Sequence, residues 1–485
     1  MAKRAKWLVI SVSILFWGCK EDVGIELPPD VQRTEVKYAE FTLPVTNVYF
    51  DSLRTDSRGV AFLGEYSDEV YGSISSKVFT EYRFKSGDIV DEMTVDKGDF
   101  NETIEDITFE KAQLFLDITD ALSSTNSIAL QVEISTLADS IFAEGLYLRD
   151  SEILKNELIQ SSTVNFDEID TVDFTNQAEH LVTIDLSTEY SNYILSTFEE
   201  DSAAMRPLGF VIEPNSGSGL LSIDMTNPST EIGLLMRGRL IDTLGVYKKD
   251  TLFTAVTFTL SSSASNYFTK IDRDRSTSLF ASSADKMEIE PVGDFVYLNT
   301  LAGLFPRIDL SPFIEFSESE SGILFNRVTL EIAVEENPSF IPHQGFSQFY
   351  FSYDRQDKVV INWPSTLPYP SFLGTDYLGT IMQRDVRYLG LRSDFSPAIF
   401  TNQTLSEDGG PRAFVGNEVV FWQSVYENSQ DDLKGIKIEN RPLIRAFLVG
   451  VDNLVMVPGQ ALPLGRNSIN KESIKLKVFY TQLKD

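Results

Sequence analysis

Cys19 is the only cysteine among 485 residues, and its surroundings give that thiol one evident use. A basic start (Lys3, Arg4, Lys6) leads into an apolar stretch from Trp7 to Trp17, closed by Gly18 and Cys19. Such a stretch is too short to span a bilayer, which takes about 20 residues, so it reads as a removable signal. Phe16-Trp17-Gly18-Cys19 resembles a lipobox, the segment in which a cysteine thiol accepts lipid and the chain is cut just before it. The expectation is a signal peptide over residues 1–18 and lipidation at Cys19. A single acyl chain binds a membrane marginally, whereas a multiply acylated cysteine anchors stably.

Lys20-Glu21-Asp22 follows directly. A lysine and two acids at this place resemble the surface-export signal of lipoproteins in the phylum Bacteroidota, which implies an outer-membrane protein facing the cell exterior. Residues 19–37 read as a tether, with Pro28-Pro29-Asp30 and no apolar periodicity.

Other chemistry is sparse. His180 and His343 are the only histidines, and no Gly-x-Ser-x-Gly elbow accompanies them. No close-spaced set of His, Cys and acids reads as a zinc site. With 72 acids, the chain points to no particular pair of carboxylates for glycoside hydrolysis. The expectation is a protein that is not an enzyme. Asp272, Asp274 and Ser276 place oxygens at alternate positions, as a calcium loop begins, but the sixth-position glycine and closing glutamate are missing. Calcium is therefore a candidate ligand. Asp96 to Glu102 is a second acid-rich stretch. Six Asp-Ser/Thr tripeptides resemble the O-glycosylation sequon of exported Bacteroidota proteins, with hydroxyls at Ser52, Ser140, Thr171, Ser202, Thr243 and Thr251.

These groups must be carried by a large acidic scaffold. Losing residues 1–18 removes three positive charges, so the net charge goes from −31 to −34 over the remaining 467 residues. Phosphate backbones demand Lys/Arg patches, so nucleic acid is excluded as a partner. A hydrophobic content of 42% with 34 Phe provides for real cores. Strand patterns dominate: Phe41–Val45, Asn47–Phe50, Ile128–Ile134, His180–Leu186, Leu252–Leu260 and Ile474–Tyr480. One helix is expected over Glu189–Glu200, where Tyr190, Ile194 and Phe198 recur four apart behind Ser187 or Thr188 as a cap. Gly209–Glu213 and Leu220–Asp224 flank a Gly/Ser run over Pro214–Gly219, which reads as a hairpin.

Ile107–Ile118 echoes Ile323–Val334 in pattern, with apolar residues at the same places and Glu110-Lys111 set against Asn326-Arg327. The fold expected is all-β: two jelly-roll-like β-sandwich domains, related by duplication, with a few short helices. Their expected limits are 38–240 and 241–485, with a crossing over Arg237–Asp250.

Asp51-Ser52-Leu53, Phe62-Leu63-Gly64-Glu65-Tyr66-Ser67-Asp68-Glu69-Val70-Tyr71-Gly72, Val296–Gly303 and the closing Lys-Leu-Lys-Val-Phe-Tyr run resemble a family of Bacteroidota lipoproteins, domain-of-unknown-function family 4270. The family's usual His-Asp-Tyr-Ser stretch is replaced here by Ile271–Ser276. The resemblance implies location and β architecture, and no activity. Gly64 and Gly72 read as turn glycines, while Tyr66 and Tyr71 read as packing at a sheet edge or facing a partner. The expected role is a non-enzymatic extracellular subunit of an outer-membrane β-barrel complex serving barrel assembly, secretion or import. The alternative is a glycan-binding surface lipoprotein, using Phe349-Tyr350-Phe351 or Trp363 and Tyr369 as platforms.

Overall fold

The computed structural model describes residues 35–51, 55–56, 59–84, 103–142, 147–167, 180–201, 207–226, 229–241, 247–260, 267–285, 287–335, 348–355, 358–361, 399–404, 412–417, 422, 426, 445–451 and 466–482. The chain opens with β1 (Glu35–Thr42) and β2 (Val45–Tyr49), separated at Pro44, which cannot donate to a ladder. Next come β3 (Val60–Asp68), β4 (Gly72–Phe84), β5 (Thr103–Leu122), β6 (Ser127–Leu137) and β7 (Lys155–Asp167). After them lie β8 (Leu181–Asp185), helix α1 (Thr188–Asp201), β9 (Leu208–Asp224), β10 (Glu231–Ile241), β11 (Tyr247–Leu260) and β12 (Tyr267–Asp274). The last part holds β13 (Glu288–Ile289), β14 (Phe295–Asn299), β15 (Leu304–Asp309), helix α2 (Ser311–Ser319) and β16 (Ile323–Glu335). It continues through β17 (Gln348–Arg355), β18 (Lys358–Ile361), β19 (Ile399–Thr404) and β20 (Arg412–Asn417). The final strands are β21 (Arg445–Val451), β22 (Arg466–Asn470) and β23 (Lys475–Gln482).

The protein is all-β, built from two antiparallel sheets. β3 to β12 form one and the remaining strands form the other. In the first, β9 pairs with both β4 and β5, so β4, β11, β10, β5 and β9 close a ring. In the second, β16 pairs with both β20 and β22, which closes a longer ring through β19, β17, β21, β15 and β14. Closure protects the strands within each ring, while β7 and β1, outside the rings, each keep an open edge among the described strands.

The sheets share one core. Phe62, Tyr66 and Ile74 of the first pack with Val48, Leu298, Phe305 and Leu330 of the second. Ala61 and Leu63, pointing the other way from β3, enter the interior of the first sheet beside Leu114, Leu130 and Ile223. β3 is thus covered on both faces, which explains its unbroken apolar start.

The expected boundary at residue 240 does not match these sheets. β1 pairs along its whole length with β23, and β2 pairs with β13 and β15, so the first strands belong with the last. The expected crossing over Arg237–Asp250 lies instead in the β10–β11 hairpin, with Gly238 opposite Thr251. The chain changes sheet between β2 and β3 and again between β12 and β13.

A second correction concerns the Gly/Ser run. β9 continues through it as one strand, pairing with β6 from Ala129 to Thr136. Gly217 and Gly219 hold φ of +111° and +128°, and a Cβ on Gly217 would stand 2.1 Å from the Ala129 carbonyl oxygen. The glycines let two backbones meet at a bend, where a hairpin turn was expected.

The internal echo has a structural counterpart. In β5 the register against β10 skips Glu110, and in β16 the register against β23 skips Asn326, the very positions matched in sequence. After each bulge the alternation buries Ala112, Leu114 and Leu116, or Val328, Leu330 and Ile332. A further repeat links Ile184-Asp185-Leu186-Ser187 with Ile308-Asp309-Leu310-Ser311, each running from strand into helix. Its order is permuted, following the echo strand in one case and preceding it in the other. Ser187 caps α1 by accepting from the Tyr190 amide at 3.3 Å.

On the opposite face of the first sheet, Phe79, Phe268 and Tyr147 stack with centroids 4.5 and 4.3 Å apart. The segment after β6 covers them, and its Ile141 amide donates to the buried Glu81 carboxylate at 2.6 Å. Burial raises the Glu81 carboxyl above its ordinary value, and that amide offsets the rise only in part. The protonated acid is therefore favoured on folding, so stability declines as pH climbs from the ordinary carboxylate range through the raised one. Glu81→Gln keeps the acceptor and abolishes the titration. Urea midpoints are expected to match wild type near pH 4 and exceed it near pH 7.5.

Candidate functional site

The motif residues singled out in sequence converge where β2 meets β12. β12 alternates as a strand should: Ile271 is buried, Asp272 and Asp274 face outward, and Arg273 turns inward. Arg149, in the segment before β7, approaches from beside it. Arg149 donates from Nε to the Asp51 carbonyl oxygen at 2.6 Å, from Nη1 to the Ile271 carbonyl at 3.2 Å and from Nη2 to the Asp51 carboxylate. Arg273 Nη1 donates to the Phe50 carbonyl at 3.1 Å. Arg275 lies with its guanidinium carbon 3.7 Å from the Tyr49 ring centroid, and the Tyr49 hydroxyl donates to Asp51 Oδ1 at 2.8 Å. The Asp51 amide in turn donates to Asp285 Oδ1 at 2.7 Å.

Charge explains the arrangement. Burial alone would raise the Asp51 carboxyl, but the Tyr49 hydroxyl and Arg149 outweigh it and leave it below its ordinary value. Burial lowers the Arg273 guanidinium to about 10, aided by the neighbouring charge of Arg149. Its Nε and Nη2 are shut off from solvent and find no acceptor among the described residues. Arg149 and Arg273 thus act on the Asp51 carboxylate while also held by backbone carbonyls, and Arg275 packs on the face of the Tyr49 ring whose hydroxyl donates to that carboxylate. The cluster joins the two sheets through ion pairing and main-chain hydrogen bonds.

The LGEYSDEVYG segment lies against this joint. Asp68 Oδ1 accepts from the Val70 and Tyr71 amides at 2.7 Å each, closing the β3–β4 turn. Tyr66 and Tyr71 are 2% and 4% exposed, so they belong to the shared core and not to a sheet edge. Gly72 has φ of +83°, with the Asp274 carbonyl oxygen 2.2 Å from where a Cβ would stand.

The calcium reading is not supported here. Asp272 lies 3.8 Å from Lys270, and Asp274 accepts from the Ser276 amide at 2.9 Å as an ordinary turn. The alternate oxygens reflect strand periodicity, and among the described residues no group of three His, Cys, Asp or Glu could hold a metal. His180 and Asp117 are both buried, Nε2 to Oδ1 2.7 Å, where β8 begins beside β5. Of the candidate glycosylation hydroxyls, Ser140 is exposed just beyond β6, and Thr251 lies on β11 opposite Gly238.

Cys19, Lys20, Glu21, Asp22, Ser52, Thr171, Ser202, Thr243, His343, Trp363 and Tyr369 fall outside the described residues, as does Asp96 to Glu102. Phe349 and Tyr350 lie on β17 between β19 and β21, and Phe351 pairs with Leu448 of β21. Sequence reading missed the arginines, although Ile271, Arg273 and Arg275 at period two already place them on the inward face. Among the described residues, no helix is long and apolar enough to cross a membrane. Compared with known proteins, the chain matches no family model and no curated protein.

Proposed function

We propose that this protein is an outer-membrane lipoprotein, displayed on the cell exterior, that serves as a non-enzymatic extracellular subunit of a β-barrel complex. The observation carrying this reading is Cys19, a lone cysteine ending a short apolar stretch behind a basic start. Lys20-Glu21-Asp22 and the Bacteroidota lipoprotein resemblance support the outward orientation. β7 offers a docking edge: among the described strands it pairs only with β6, and Leu158 on it is exposed. An open strand edge accepts a partner strand through main-chain hydrogen bonds, and a lipid tether keeps local concentration high. Affinity purification of the tagged protein from outer membranes in mild detergent, read by mass spectrometry, is expected to bring down a stoichiometric barrel protein. Recovery of the lipoprotein alone would sink the reading.

A further inference from the structure

β1 is an edge strand whose inner side chains help close the shared core, and its outer face is graded along its length. Val36 and Leu324 lie in one row across β23, both opposite Thr481, and are 64% and 54% exposed. Tyr38, 50% exposed, occupies the next row, its ring 4.9 Å from that of Phe479, and the exposed Arg327 closes that row on β16. Farther along, the same face turns charged, with Lys475 3.6 Å from Glu40 and Lys477 2.7 Å from Glu331. The apolar rows therefore stand at the end of β1 where the chain arrives from residue 34, and the paired charges stand at the other.

We propose that these apolar rows rest on the lipid surface to which Cys19 ties the protein, an inference that depends on the lipoprotein reading. Residues 20–34 can extend no farther than about 50 Å, so β1 begins within that distance of the bilayer. A second copy is a poorer occupant: each mature chain carries −34, and two rows fall short of the roughly 800 Å² per partner of a stable interface. A lipid surface asks less, because the tether makes contact intramolecular and tyrosine favours the membrane–water interface. Lys475 and Lys477 are ion-paired, and Arg327 adds a single positive charge against a chain of −34, too little to draw it to an anionic surface, so the expected surface is zwitterionic.

The test uses the acylated mature chain with Leu324→Cys, whose introduced thiol is the only free one once Cys19 is blocked. An environment-sensitive fluorophore on that thiol is compared with one on Leu158→Cys of β7, in phosphatidylcholine vesicles with brominated acyl chains. Quenching at Leu324 is expected to exceed that at Leu158 roughly twofold, as for side chains entering the headgroup boundary. Equal quenching at both sites, no quenching at Leu324, or concentration-dependent pairing of the Leu324 probes would overturn the proposal. Intact mass without acylation at Cys19 overturns the lipoprotein reading itself, and is determined before the fluorescence is read.

Discussion

Gly72→Ala is expected to lower the free energy of unfolding by about 2–5 kcal/mol, the sum of a left-handed backbone cost and an overpacking cost. At φ +83° an L-residue is strained before any contact is considered. The added methyl would then stand 2.2 Å from the Asp274 carbonyl oxygen and 3.0 Å from the Arg275 Cα. Both are backbone atoms, so no rotamer change relieves the overlap and the end of β12 must move. Arg273 and Arg275 would move with it, away from the Phe50 carbonyl and the Tyr49 ring. Gly293→Ala is the matched comparison, because Gly293 has φ of +65° with nothing within 4 Å of the added carbon. It should lose only about 1–2 kcal/mol. Denaturant midpoints for the two variants decide the matter, and equal losses would mean that the β12 approach contributes nothing.

That glycine also shows what could be read ahead of the structure. Its place in a turn follows from the residues around it, since Asp68 to Gly72 has the composition of a tight connection. Its second role, admitting β12 from more than 200 residues away, has no local signature. The same division runs through the molecule. Local alternation identified β6, β11 and β23, and the spacing of Tyr190 and Ile194 identified α1. α2 escaped because it is short and carries Pro312 in its first turn; the burial of Phe313 and Ile314 against Trp422 and Phe325 holds it. The Gly/Ser run misled because turn composition and a glycine-enabled bend look alike until the partner strand is known. The domain limits were illegible for the same reason: pairing of β1 with β23 is a contact between the two ends of the chain.

In the candidate site, outward Asp272 and Asp274 drew attention while inward Arg273 and Arg275 did the joining. Alternation shows that two sets of residues face opposite ways, but which set meets the other sheet depends on long-range packing. Excess acids across the chain made a metal loop the readier hypothesis, whereas at the joint three arginines, Arg149, Arg273 and Arg275, make the contacts between the sheets.

Replacing residues 1–19 by an ordinary cleaved secretory signal, so that the mature chain begins at Lys20 without Cys19, is expected to move the protein from the membrane pellet to the soluble fraction without changing its unfolding midpoint. Each buried acyl methylene contributes about 0.8 kcal/mol to membrane affinity, so losing multiple chains shifts the partition by many orders of magnitude. The apolar rows on β1 cannot replace that anchor, since they are small and the chain carries a large negative charge. Stability should hold because residue 19 precedes β1, and the core residues of both sheets, among the described residues, lie beyond it. Fractionation and a denaturant curve on one preparation test both halves of this statement. A variant that stays in the pellet would show that something other than the cysteine provides attachment. A variant that leaves the membrane and also unfolds more easily would mean that the tether stabilises the sheets. Loss of attachment with the midpoint unchanged is the outcome required if address and fold are encoded in separate parts of the chain.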